Sequence, residues 1–481
     1  MTTRRSFLSA FAATAAMPAF SAPLGDCRLK VGIVCDTHLS PPEVHNSQGA
    51  INMFKRVITF FRDQKVDAIM IAGDLTNGGR AAELQKTADC WKEVFGSIDA
   101  GPVKVFVTGN HEHNYAKDAP EVWQEIFGEP WSPFFIKEVK GYSFVGAHWA
   151  AWRNEKSFRA FLNANRAKLA GGKPFFFAQH AHPQNTCYGT WTWHQADGGP
   201  THKVLADWPN AVAFSGHTHY SITDQRSVWQ GAFTSLGTAS LRWLSLPSGR
   251  ENGKGFKSIG HRMSDVASDY GGAQGMLMNV YDDYMVFERW DFSRQEKLGD
   301  DWKVPVLRGK NDQRTYSFAS RTEKSSAPEF PEGAELKLKL HKGRNPKKEP
   351  EDQIILTFPT AVSPDDLSRV MDYEVCAELY SADVVLPWRM KRVYQTGFTR
   401  NPRHVTPTQS CIFGIGELPP PPFRFRVTPR NSFGNAERAS FFISANRLLK
   451  ILQRKEKNDE HLETSRCNNC RVRSLRFDGG S

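Results

Sequence analysis

The chain has 481 residues, 40% hydrophobic and 12% aromatic, with 62 Lys and Arg against 51 Asp and Glu. That length supports two or three domains around a large core, and that composition excludes a disordered or fibrous polymer. The net charge of +11 is uneven, since residues 445–481 hold nine basic and five acidic side chains, +4 in 37 residues; such an excess reads first as solubility and second as a surface for a polyanion.

In chain order, the first feature is Thr3-Arg4-Arg5-Ser6-Phe7-Leu8, then an Ala-rich apolar stretch and Ala19-Phe20-Ser21-Ala22 before Pro23. Paired arginines, a short apolar region and small terminal residues mark residues 1–22 as a twin-arginine signal peptide. The expectation is a bacterial protein that folds in the cytoplasm, takes up metal there and is passed by the Tat export machinery to the periplasm or beyond. The apolar stretch is too short to span a bilayer, and no later segment reads as transmembrane.

From Cys27 to about Leu246 strands and helices alternate. Strands are expected at Leu29–Cys35, Asp67–Ala72, Val103–Thr108, Tyr142–Trp149, Pro174–Ala178 and Ala211–Phe214, where short apolar runs end at turn residues. Ala50–Gln64 places Ile51, Phe54, Val57, Ile58 and Phe61 at helical spacing, and Ala81–Phe95 reads as a second helix. Strands at Met276–Met278 and Tyr284–Arg289, around an Asp282-Asp283 turn, complete an α/β domain over residues 26–312. Gly309–Pro331 is polar and reads as a linker. Residues 328–444 carry short strand-like pieces at Ile354–Phe358, Tyr373–Leu379 and Phe423–Thr428, which suit a smaller all-β sandwich. Residues 445–481 remain as a basic C-terminal tail. The eight cysteines are too scattered for a disulfide framework, Cys35 reads as a small core residue, and the lone Cys467/Cys470 pair lacks two nearby partners for zinc.

The informative pattern is what stands at the strand ends. The first strand ends in Asp36-Thr37-His38, the second in Gly73-Asp74, the third in Gly109-Asn110-His111-Glu112-His113, a later one in His180-Ala181-His182, and the last in Gly216-His217-Thr218-His219. Singly, an Asp after Gly is usually a turn and a lone His usually a satisfied side chain. Together they are a set, because ligand sites of α/β folds gather at the carboxyl ends of strands. Glycine before Asp74, Asn110 and His217 is expected to let the backbone turn sharply and aim the next side chain into a shared pocket. Carboxylates, imidazoles and a carboxamide suit two borderline or hard divalent ions, Mn, Fe, Zn or Mg, and so suit metal-assisted hydrolysis of a phosphoryl group.

The series DxH, GD, GNHE, H and GHxH in this order resembles the calcineurin-like metallophosphoesterase superfamily over about residues 27–245. The resemblance implies an αββα four-layer sandwich. It also implies roles: Asp36, His38 and His219 would hold one metal, Asn110, His180 and His217 the other, and Asp74 would bridge them. A hydroxide bridging the metals would attack phosphorus, with His111 as catalytic general acid and Glu112 orienting its neighbours. Asn77 stands where the purple acid phosphatases carry a tyrosine ligand, so no charge-transfer colour is expected. The DxH form and His180-Ala181-His182-Pro183 point toward phosphodiesterases, with a nucleotide or lipid diester as substrate. The segment Phe423–Gly434 resembles one strand of fibronectin type III-like domains.

The alternatives are a periplasmic phosphomonoesterase that scavenges phosphate, and a surface-binding protein that works through its β-domain. A nuclease is possible but not favoured, since most excess charge lies outside the catalytic domain. The aromatic segment 183–200, with Tyr188, Trp191, Trp193 and His194, is expected either to stack a substrate or to pack on the second domain. Asn77, Arg80 and Asn114 are candidates for phosphate contact. His182 reads as a substrate contact or an exposed residue, and His113 as bland.

Overall fold

The computed structural model describes residues 25–43, 47–114, 118–188, 197–246, 267–269, 271–345, 347–381, 384–436, 443–444 and 463–466. The signal at 1–22, Trp191, Trp193, His194, Cys467 and Cys470 lie outside the described residues. No described helix is long and apolar enough to cross a membrane.

The first domain opens with β1 (Leu29–Val34), α1 (Gln48–Asp63), β2 (Ala68–Ala72), α2 (Ala81–Phe95) and β3 (Val103–Val107). These three strands pair in parallel, as the helical crossovers between them require. The next elements are α3 (Asn110–Asn114), α4 (Asp118–Phe127), β4 (Phe134–Val139), β5 (Tyr142–Ala147), α5 (Glu155–Ala164), α6 (Arg166–Leu169), β6 (Phe175–Ala178), α7 (Pro200–Leu205) and β7 (Ala211–Ser215). The last are β8 (Val228–Gln230), β9 (Thr234–Gly237), β10 (Leu244–Leu246), β11 (Ala267–Asp269), β12 (Gln274–Val280), β13 (Tyr284–Asp291), β14 (Glu296–Lys297) and β15 (Trp302–Pro305).

Two sheets result. One runs β14-β13-β12-β1-β2-β3, with β15 on β13, and the other β4-β5-β6-β7-β9-β8. Their facing sides share one core: Val31, Ile33, Met70 and Val105 from the first, Phe144, Phe176 and Phe214 from the second. Each fully buried Phe contributes roughly 1.5–3 kcal/mol by leaving water. The outer face of the first sheet is covered by α1, α2 and α4 through Phe54, Phe61, Trp91 and Trp123. The outer face of the second is covered by α5 and α7 through Phe158, Leu162 and Val204. This is the αββα order expected from the motif series.

The second domain contains β16 (Glu335–Arg344), β17 (Pro350–Pro359), β18 (Val370–Ser381), β19 (Val384–Tyr394), β20 (Thr408–Gly414), β21 (Phe423–Asn431), β22 (Ile443–Ser444) and β23 (Glu463–Arg466). They form two antiparallel sheets, β20-β17-β16-β23 and β19-β18-β21-β22, around Leu336, Leu356, Phe413, Tyr373 and Phe425. Glu463–Arg466, placed in the tail by composition, pairs with Glu335–Leu338 and so adds a strand to this domain.

The linker expectation needs correction. Within 309–331, Phe318–Lys324 forms α8, and Arg321 is buried, donating to the carbonyls of Gln225, Val228 and Tyr316. Polar composition does not free a segment whose polar groups find buried partners.

Candidate metal centre

The parallel strands of both sheets deliver their carboxyl ends to one place. β1 leads to Asp36 and His38, β2 to Asp74, β3 to Asn110 and His111, β6 to His180, and β7 to His217 and His219. The loops are knitted by backbone bonds: Asp36 N–H donates to the Gly73 carbonyl at 3.0 Å, and Thr37 N–H to Asp74 at 2.9 Å.

Three overlapping groups offer ligand atoms within 4.8 Å of one another: Asp36, His38 and His219; His38, Asp74 and His111; Asp74, His180 and His217. His219 Nε2 is 3.0 Å from Asp36 Oδ1, and His180 Nε2 is 3.0 Å from Asp74 Oδ2. His38 Nε2 lies 3.6 Å from Asp36 Oδ1, 3.8 Å from Asp74 Oδ2 and 3.3 Å from His219 Nε2. Asp74 stands in two of the groups, in the middle of the array.

The donor atoms fit a metal ion. Asp36 Oδ1, Asn110 Oδ1 and His180 Nε2 are buried and have no hydrogen-bond partner outside the cluster. Buried polar atoms without partners are rare, and three converging on one region are what coordination requires. The far ring atoms are held by the protein: His180 Nδ1 donates to the Ala72 carbonyl at 2.8 Å and His219 Nδ1 to that of Trp243 at 3.0 Å. This makes Nδ1 the donor and leaves Nε2 of each ring as the atom that faces the cluster and would bind a metal. The outer carboxylate oxygens are held too, with His217 N–H donating to Asp36 Oδ2 and His111 N–H to Asp74 Oδ1, both at 3.0 Å.

Burial opposes charge on these carboxylates, yet the imidazoles win: Asp74 lies at about 2, drawn down mainly by His180. Burial alone would depress His180, but Asp74 and Asp36 override it and raise it to about 9. His217, facing no such carboxylate bond, is pushed down to about 3 by burial and by His180.

The backbone here is strained. Asp36, His38, Asp74, His217 and His219 all have positive φ, between 46° and 66°. Non-glycine residues hold that conformation only where surroundings over-determine it. The role expected of the glycines is right at Gly73, with φ 95°, but not at the other two. A Cβ on Gly109 would lie 2.0 Å from Asp74 Oδ1, and one on Gly216 2.4 Å from Asp36 Oδ2. Those two are glycines for space.

The remaining expectations divide. His111 sits at the cluster edge, its Nδ1 donating to the Asn77 carbonyl at 2.7 Å and its Nε2 3.9 Å from Asp74 Oδ2. Asn77 thus contributes its backbone. Glu112 orients neighbours as expected, accepting from Gly109 N–H at 2.7 Å and from Thr76 N–H and hydroxyl at 2.8 Å. His113 is outside the ligand groups and makes a structural contact, its Nε2 2.9 Å from Thr108 Oγ1, which accepts from Trp149 N–H at 3.1 Å. His182 is buried against Thr218 rather than exposed, and Tyr188 is buried against Tyr220, Met371 and Phe398 instead of open to a substrate.

Sequence reasoning missed two tryptophans. Trp149 meets His217 and His180 with ring centres 5.4 and 5.8 Å apart, and Trp243 meets His219 at 4.2 Å. Each follows a strand or loop that carries no motif signature, so only the packing places them at the cluster.

It also missed His148, which accepts Thr108 N–H at its Nδ1 (3.1 Å) and stacks on Trp131 at 4.0 Å. Burial, with His113 and Lys137 nearby, lowers it to about 3. The folded pKa is below the ordinary value, so its stabilising effect is complete above about pH 6.5 and is lost as pH falls toward 3. The slope is about 1.4 kcal/mol per pH unit. Between pH 6.5 and 5 the wild type is expected to lose about 2 kcal/mol more than His148→Gln in urea unfolding. Parallel pH profiles for the two proteins would refute this.

Residues 29–221 match the family model for calcineurin-like phosphoesterases. No curated protein matches the chain. Similar solved structures include a dimetal phosphatase from Danio rerio, 11% identical, covering 58% of this chain and 100% of that one, TM-score 0.39. A purple acid phosphatase from yellow lupin seeds is 13% identical over 59% of this chain and 55% of that one, TM-score 0.40.

Proposed function

We propose, from the premise that residues 29–221 form a calcineurin-like phosphoesterase domain and hence a metal-dependent hydrolase, that this chain cleaves phosphodiesters. Asp36, His38 and His219 would hold one divalent metal and Asn110, His180 and His217 a second, with Asp74 between them. Bound there, the metals would polarise the phosphoryl oxygens and make hydroxide available near neutral pH.

The protein's own groups do the rest. His111 keeps Nδ1–H on the Asn77 carbonyl, so Nε2 is the ring atom that carries a proton to the leaving oxygen. Glu112 ties the turn before Asn110 to the turn after Asp74 and so keeps acid and ligands in register.

The observation that favours a diester is the wall chemistry. Among the described residues the ion-pair partners of Asp36 and Asp74 are all histidines, and a tryptophan stands beside each half of the cluster. Those histidines are the proposed ligands themselves, so the walls are the two tryptophans, with the Arg153 guanidinium 5.7 Å over the Trp149 ring; an aromatic ring on each side suits a phosphoryl group with an organic substituent on each side. The Arg4-Arg5 pattern supports export, and the substrate would then lie in the periplasm or outside the cell.

Metal-stripped protein reloaded with Mn²⁺ is expected to hydrolyse bis-p-nitrophenyl phosphate faster than p-nitrophenyl phosphate. Trp149→Ala is expected to raise KM for the diester several-fold, as loss of about 0.5–1.5 kcal/mol of aromatic contact implies. Faster monoester cleavage would replace this reading with that of a phosphomonoesterase.

A further inference from the structure

The loop that carries His219 does not end at the cluster. It continues into Tyr220–Arg226, and Tyr220, Ser221, Ile222, Thr223, Asp224 and Arg226 are all buried. This segment is sealed between the two domains.

Its centre is a fully buried ion pair. The Arg226 guanidinium donates to Asp224 at 2.6 and 3.1 Å and stacks 3.5 Å over the Tyr188 ring. Tyr220, the residue after His219, donates its hydroxyl to Asp224 at 2.5 Å and accepts from Arg226 at 3.2 Å. Water reaching one side of such a pair would screen it and compete for its hydrogen bonds. One side is covered by the β-sandwich: Met371 Sδ is 3.1 Å from Arg226 Nη2, and Met371 and Phe398 join Tyr188 and Tyr220 in one apolar cluster.

Side-chain hydrogen bonds run through the same place. Thr223 Oγ1 donates to the Phe398 carbonyl at 2.8 Å. Gln274 accepts from the Ser221 hydroxyl and Ile222 N–H on one side, and donates to the Thr399 carbonyl at 2.6 Å on the other. His219 has φ 52°, so its placement depends on the chain that follows it.

We propose that the β-sandwich is a positioning element of the metal centre. Through Met371, Phe398 and Thr399 it holds the Tyr220–Asp224–Arg226 lock, and through that lock it holds His219 against Asp36 and His38. The proposal rests on the reading of the cluster as a metal centre. It assigns the second domain a selective effect: the Asp36–His38–His219 half depends on it, and the half built on Asn110, His180 and His217 does not.

The test is Mn²⁺ titration of the metal-stripped full chain, followed by electron paramagnetic resonance and elemental analysis. Met371→Ala removes the apolar seal, Thr223→Val removes the interdomain hydrogen bond together with the Thr223 contact to the Ser221 hydroxyl, and Thr223→Val, close in size, guards against a misfolded Met371→Ala. In both, one of two binding steps is expected to weaken roughly 10–100-fold, the range for groups that orient a ligand. Met371→Leu, which keeps the seal, is expected to restore it. Two unchanged steps would overturn the proposal while leaving the metal centre intact. Equal weakening of both would overturn it as general loosening. A wild-type chain that takes up no Mn²⁺ would overturn it together with the reading it rests on.

Discussion

Asp74→Asn is expected to strip the protein of metal and to reduce kcat/KM at least roughly 10³-fold, the equivalent of several kcal/mol of lost charge stabilisation at 1.36 kcal/mol per tenfold. The substitution keeps the shape and removes the charge. Asp74 Oδ2 faces His180 at 3.0 Å, His38 at 3.8 Å and His111 at 3.9 Å and stands in two of the three ligand groups, whereas Asp36, which also comes within 3.8 Å of His180, stands in one. Its position at about 2 keeps it ionised over all working pH. Asn offers one oxygen, without charge, to two sites that would share it. Oδ1 already accepts His111 N–H at 3.0 Å, a bond that the carboxamide oxygen keeps only by turning its nitrogen toward the metals. Elemental analysis and steady-state rates would be read beside near-UV circular dichroism. A folded variant with two metals and a near-wild-type rate would remove Asp74 from the bridging role.

His111→Ala is expected to behave differently, with metal content unchanged and kcat lowered by roughly 10²–10⁴, the range for a lost general acid. Its ring is held by the Asn77 carbonyl at 2.7 Å, and its Nε2 stands at the rim of the cluster. A group that gives a proton to a leaving oxygen matters most when that oxygen is strongly basic. The loss should therefore be large for alkyl diesters and smaller for p-nitrophenyl diesters, whose phenolate leaves without help. Because His111 also shares a ligand-sized space with His38 and Asp74, metal analysis decides between the two roles. Loss of metal in the variant would make His111 a ligand. An equal loss of rate across leaving groups would deny it the proton.

The two substitutions separate binding from chemistry because the residues come from different loops of one turn network. Glu112 is the tie between those loops, accepting from Gly109 and from Thr76. Buried near Asp74, it is raised to about 8, first by desolvation and then by that carboxylate. Its backbone partners pull the other way.

Much of this protein is legible in its amino-acid sequence. The apolar runs at Leu29–Val34, Ala68–Ala72 and Val103–Val107 are strands, and Ala81–Phe95 is a helix with the expected bounds. Such elements are written locally: periodicity of 2 or 3.6 and turn residues at the ends need no knowledge of distant chain. The order of Asp, Asn and His at strand ends is equally local, and parallel strands that share a direction bring those ends together.

What the sequence alone determined, then, is the elements, their alternation and the donor types. Tertiary structure decided which atoms meet. Asp36 reaches the His217 amide across 181 residues, and Thr223 reaches Phe398 across 175. Tertiary structure also made Gly109 and Gly216 necessary for space, set Trp149 and Trp243 beside the imidazoles, and buried Arg226 under the second domain. The physical reason is range. Backbone propensity and amphipathic period act over a few residues, whereas steric exclusion, ring packing and the burial of a charge depend on what the fold brings from far along the chain.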